Sequence, residues 1–168
     1  MPWYNENLDS DLEKELDERK VISNNNSDGS EKFLDLGTCP ATQAVWLAKR
    51  GFKVIGSDLS EAAINRARTI NANKKNVNFI VDNIVHTKFK DNEFDYIFDR
   101  GCFHVLLPKD RQKYINNVKQ ILKKEEDDNG ILFLKCFSHK EPRQEGPYKF
   151  SQDEIRDLFN ESFRLAAV

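Results

Sequence analysis

The stretch from Glu31 to Asn65, EKFLDLGTCPATQAVWLAKRGFKVIGSDLSEAAIN, limits what this chain can fold into more than any other. It reads as an apolar strand (Lys32–Leu36), a tight turn (Gly37–Ala41), a helix (Thr42–Lys49), a turn at Gly51 and a second strand (Lys53–Ser57) closing on Asp58. A strand, helix and strand in so few residues is a βαβ unit, and a βαβ unit implies a parallel sheet. Open parallel sheets bind ligands beyond the carboxyl ends of their strands. The order of elements therefore locates a site before it says what binds there.

The rest of the chain repeats the alternation. Leu8, Leu12 and Leu16 mark a short amphipathic helix over residues 9–20, preceded by Trp3 and Tyr4, which read as a surface tail or a flap over the site. Ser23–Ser30 is a polar loop, so residues 1–30 form an N-terminal appendage and 31–168 a single domain. Ser60 caps a helix reaching about Asn73, and Val77–Val81 is a third strand ending at Asp82. Phe94–Phe98 is a fourth strand ending at Asp99. Pro108 opens a helix carrying Tyr114, Ile115, Val118 and Ile121. Ile131–Phe137 reads as a fifth, central strand, Ser151–Glu154 fits a capping box, and Phe163–Val168 begins a sixth strand. The whole is an α/β, doubly wound, mostly parallel sheet with helices on both faces.

Bulk properties exclude several classes. With 168 residues, 32% of them charged, and a net charge of −2, nothing draws the chain to nucleic acid or an anionic membrane. No apolar run approaches the roughly 18 residues of a membrane span, and the acidic N-terminus has no apolar signal core. Cys39, Cys102 and Cys136 are odd in number and read as free thiols, so the expected location is the cytoplasm. No Cys/His spacing supports a metal site.

Asp58, Asp82 and Asp99 stand at successive strand ends, and Asp35 lies within the first strand. Such carboxylates accept hydrogen bonds, so they suit a ligand rich in hydroxyl and amino donors. Asp58 follows Gly37 by 21 residues, the spacing that reaches ribose hydroxyls. A dinucleotide turn needs G-x-G-x-x-G, whereas Gly37-Thr38-Cys39-Pro40-Ala41-Thr42 keeps only the first glycine, and Pro40 lacks an N–H.

The segments FLDLGTCPA and VIGSDLSEAAI resemble motif I and the second-strand motif of class I S-adenosylmethionine-dependent methyltransferases. NVNFIVDNI, FDYIFDRGCFHVLLP and GILFLKCFS resemble that superfamily's third, fourth and fifth strands. DRGCFH with EGPYKFSQDEI is most similar to small-molecule members of the thiopurine and tellurite-resistance type. The resemblance implies S-adenosylmethionine as cofactor and a thiol, chalcogen or amine acceptor. It puts Gly37, Thr38 and Cys39 under the methionine portion, with Asp35 holding that turn and the amino group. Asp58 would bind the ribose, Leu59 would pack on the adenine, and Asp82, Asn83 and Ile84 would complete the adenine pocket. The backbone of Asp99 would meet the methionine end, with Arg100 and His104 facing the acceptor as orienting cation and base.

Two departures from the pattern carry expectations of their own. Cys39 and Ala41 replace the second and third glycines of D-x-G-x-G-x-G, which is expected to weaken cofactor affinity. The chain also ends at its sixth strand, so the last strand of the usual sheet is expected to be missing, one edge left uncovered, and dimerisation through that edge favoured. The alternative is a degenerate relative that serves as an interaction or regulatory subunit.

Overall fold

The computed structural model describes residues 7–19, 31–124 and 130–166; Trp3, Tyr4 and the Ser23–Ser30 loop lie outside them. Five strands form one parallel sheet: β1 (Lys32–Leu36), β2 (Lys53–Asp58), β3 (Val77–Val81), β4 (Tyr96–Asp99) and β5 (Ile131–Leu134), in spatial order β3-β2-β1-β4-β5. The direction of winding reverses between β1 and β4, which is where a doubly wound sheet opens its ligand crevice. The register lines up the strand ends: Leu36 sits beside both Ser57 and Asp99, and Asp58 beside Val81. Gly37, Asp58, Asp82 and Asp99 are thereby brought to one rim.

Strand residues alternate between two cores, as a period of two requires. Phe33, Val54, Phe79 and Phe98 pack under α1 (Ser10–Glu18), α2 (Thr42–Lys49) and α3 (Glu61–Ile70). Leu34, Leu36 and Ile97 face the opposite way, under α4 (Pro108–Ile121) and α5 (Gln152–Phe159). Helix α1 contributes more than a surface stripe, since Leu8, Leu12 and Leu16 are all at most 4% exposed and join the first core.

Three expected elements differ. The fourth strand begins at Tyr96, because the Glu93 and Phe94 N–H groups bond the Ile121 carbonyl at the end of α4 and leave Phe94 only an isolated bridge to Leu122. The fifth strand stops at Leu134; the Lys135 N–H still bonds the Asp99 carbonyl at the end of β4 (2.7 Å), and Lys135 and Cys136 belong to no strand. Phe137 then joins a separate parallel pair, β6 (Phe137–Ser138) with β7 (Lys149–Phe150). Residues 163–166 form no strand; Phe163 and Leu165 pack against the second core instead. Among the described residues, strand β5 is therefore an edge rather than a central strand. All four of its residues are half-exposed, and a groove of about 1130 Å³ runs along it, lined also by Leu12, Phe163 and Leu165.

Candidate functional site

The turn after β1 is built around Asp35. Its side chain is 3% exposed and points back toward α2, where Oδ2 accepts the Thr38 hydroxyl (2.6 Å) and the Ala44 N–H (3.2 Å). Burial lifts its carboxyl to about 7, opposed by those two donors. Asp35 thus fixes the turn from behind, while the Gly37 and Thr38 N–H groups both bond the Ser57 carbonyl (2.8 and 3.0 Å). Gly37 takes φ 69° and Ala41, at the start of α2, takes φ 79°, a left-handed conformation in which alanine replaces the usual glycine. The Cys39 side chain is exposed.

Sequence reasoning missed Gly56 in β2. A Cβ there would stand 2.6 Å from the Thr38 hydroxyl and 2.8 Å from the Phe79 ring, so the glycine lets the turn settle onto the sheet. A glycine inside a strand, directly after Val54 and Ile55, was the available signal.

The strand-end carboxylates separate into two kinds. Asp99 is completely buried and satisfied: its oxygens accept the N–H groups of Gly101, Cys102 and Phe103 and the Tyr114 hydroxyl at 2.6–2.9 Å. Its carboxylate shapes the turn after β4 and has nothing left for a ligand. Asp58 accepts the Ser60 N–H through Oδ1 (2.8 Å), and its other oxygen meets no donor among the described residues. Asp82 accepts the Lys88 N–H through Oδ1 (3.0 Å), while Oδ2 is buried without a partner among the described residues. Leu59, 70% exposed, lies open beside Asp58. Asn83 spends its side-chain oxygen on the Val85 N–H. Ile84 is buried in the second core, so its side chain belongs to packing against α4.

On the far side of the crevice, a Cβ on Gly37 would come 4.0 Å from the Cβ of Cys102, which places the two turns face to face. Burial raises the Cys102 thiol far above its ordinary range, helped by the charges of Asp99 and Asp58, so it stays protonated. Arg100 turns away toward α1, where Nε pairs with Asp9 (3.2 Å). His104 is 7% exposed, and its Nδ1 accepts the Phe137 N–H (3.3 Å). His86 and His139 are exposed.

Residues 33–125 match the family model described as a methyltransferase domain. The chain belongs to that methyltransferase family. An uncharacterized methyltransferase of Schizosaccharomyces pombe is 35% identical over 109 residues, 64% of this chain and 72% of that protein. Among solved structures, an S-adenosylmethionine-dependent methyltransferase of Methanosarcina mazei superposes with a TM-score of 0.70 at 21% identity, covering 84% of this chain and 82% of that one. The Burkholderia thailandensis 1,6-didemethyltoxoflavin-N1-methyltransferase, solved with 1,6-didemethyltoxoflavin and S-adenosylhomocysteine bound, gives 0.66 at 16% identity, covering 91% and 74%. At these identities the likeness shows a fold shared with S-adenosylmethionine-dependent methyltransferases. The residues present fit that cofactor: the buried, donorless Asp82 Oδ2 and the open oxygen of Asp58 need donors, and an adenine amine and ribose hydroxyls are donors.

Proposed function

We propose that this methyltransferase transfers the methyl group of S-adenosylmethionine to a small-molecule acceptor, and that Asp58, Leu59 and Asp82 hold the nucleoside end while the Gly37–Cys39 turn and the backbone at Asp99 receive the methionine end. The observation that carries this reading is Asp82 Oδ2, a buried acceptor with no donor among the described residues. An unsatisfied buried acceptor costs about 1–3 kcal/mol, a cost removed when a ligand supplies the missing hydrogen bond. When bound, the cofactor supplies an electrophilic methyl group on a sulfonium. The chain's part is to hold donor and acceptor at attacking distance, which is where much of the acceleration of such a displacement arises. A small acceptor is supported by the structural neighbour whose name gives it a small heterocyclic substrate.

A second reading, a relative that has lost its cofactor and acts as an interaction subunit, is favoured by Ala41, which holds a left-handed backbone without glycine's freedom, and by Cys39 in the same turn. Calorimetric titration with S-adenosylmethionine and S-adenosylhomocysteine, with NAD as control, separates the two. Micromolar binding of the first two supports the enzyme; no heat from any of the three supports the interaction subunit.

A further inference from the structure

His104 stands over the turn that faces Gly37 across the crevice. A Cβ on Gly101 would lie 3.1 Å from its Nε2, so the absence of that Cβ lets the imidazole rest on the turn. The ring packs edge-on against Phe137, with centroids 4.9 Å apart. Because the Phe137 N–H donates to Nδ1, that nitrogen's lone pair is taken, and the neutral ring must carry its hydrogen on Nε2. Burial holds the imidazole below its ordinary range, with the Asp99 charge opposing, so neutral is its resting state. Nε2 has no hydrogen-bond partner among the described residues.

The neighbouring groups offer no base either. Asp99 is filled by four donors, and Asp35 is turned toward α2. Cys102 and Tyr114 are held protonated by burial, and the Cys136 thiol is pushed up to about 11. With the open oxygen of Asp58 assigned to the ribose, an acceptor that had to lose a proton during attack would find no lone pair among the described residues around His104 to take it.

We propose that His104 acts toward the acceptor as a hydrogen-bond donor through Nε2–H, and that this selects acceptors whose attacking atom arrives already deprotonated, an acidic thiol or hydroxyl. The proposal rests on the methyltransferase reading above. The anion's lone pair forms the new bond to the methyl carbon as the carbon–sulfur bond breaks and its electron pair returns to sulfur. Negative and positive charge cancel, and no proton moves. A hydrogen bond to an ionised atom is about twice as strong as one to a neutral atom, which gives Nε2–H its preference for the anion.

The test uses the full chain labelled with nitrogen-15 at histidine. There are three histidines, and the His104 signals are those lost in His104→Gln. At neutral pH, long-range proton–nitrogen spectra should show Nε2 protonated and Nδ1 bare; a proton on Nδ1, or on both, overturns the proposal. The second arm titrates 4-nitrophenol, whose anion is coloured, into the protein saturated with S-adenosylhomocysteine. The bound probe should be the anion, with affinity about tenfold lower in His104→Ala and largely kept in His104→Gln, which retains a donor. Equal affinity in all three proteins, or binding of the neutral probe, overturns it. Failure of S-adenosylhomocysteine to bind at all would instead count against the methyltransferase reading, and leaves the spectroscopic arm to decide the role of His104.

Discussion

The carboxylate of Asp9 lies 3.2 Å from Nε of Arg100, joining the residue that caps α1 to the residue that follows β4. Lys135, just beyond β5, reaches the same oxygen at 3.0 Å. Asp9 is 3% exposed, so two cations at the rim converge on one nearly buried anion. Both cations keep part of their side chains in water, which limits the pairs' worth. Asp9→Asn keeps the cap and removes the charge, and should lower stability by about 1 kcal/mol in urea titration. Asp9→Ala also loses the cap and should cost about 1 kcal/mol more.

Asp35 makes stability depend on pH in an uncommon direction. Folding raises its carboxyl from 3.8 to about 7, so across that interval the folded protein keeps a proton that the unfolded chain releases. Its contribution is therefore full in acid and is lost as pH rises through about 7. Asp35→Asn should remove this dependence, making the variant more stable than wild type at pH ~8 by on the order of 4 kcal/mol, with the gap closing toward pH ~4. Thermal melts of the two proteins across that range give the difference directly.

Asp82→Asn should separate stability from binding. The amide still offers an oxygen to the Lys88 N–H, and its NH₂ replaces the donorless oxygen. Expected are an unchanged or higher melting temperature without ligand and S-adenosylhomocysteine affinity lowered about tenfold. Calorimetry on the folded variant reads both.

Gly56→Ala would drive a methyl group into the Thr38 hydroxyl and the Phe79 ring. Overpacking of this kind costs about 1–3 kcal/mol and here would also tilt the Gly37 turn. The urea midpoint should fall, and cofactor affinity should fall with it even under conditions where the variant is fully folded.

Local pattern was enough for part of the molecule. Lys32–Leu36, Thr42–Lys49 and Val77–Val81 were expected and found over the same residues, because apolar periodicity and turn residues bound each of them. Ile131–Phe137 is apolar except for Lys135, and one lysine does not mark the end of a strand; Lys135 is drawn toward Asp9, and the Phe137 N–H goes to His104, both distant in sequence. The carboxylates were harder. Asp58, Asp82 and Asp99 look alike as strand-end residues, yet only packing makes Asp99 a filled cap and leaves Asp82 with an idle oxygen. The partner of Arg100 was equally hidden, since Asp9 lies in a helix that precedes the whole sheet.

The flank of β5 that no described strand pairs with bears on how this protein behaves when handled. Ile131-Leu132-Phe133-Leu134 is an uncharged, strand-forming run bounded by Gly130 and Lys135, and the lysine that could repel a neighbouring chain is already engaged by Asp9 and Asp11. Heating would release that run before the chain can refold around it, so aggregation would compete with recovery. Apparent melting temperatures would then shift with scan rate and protein concentration, and shelf life would be governed by the rate of opening rather than by the depth of the folded well.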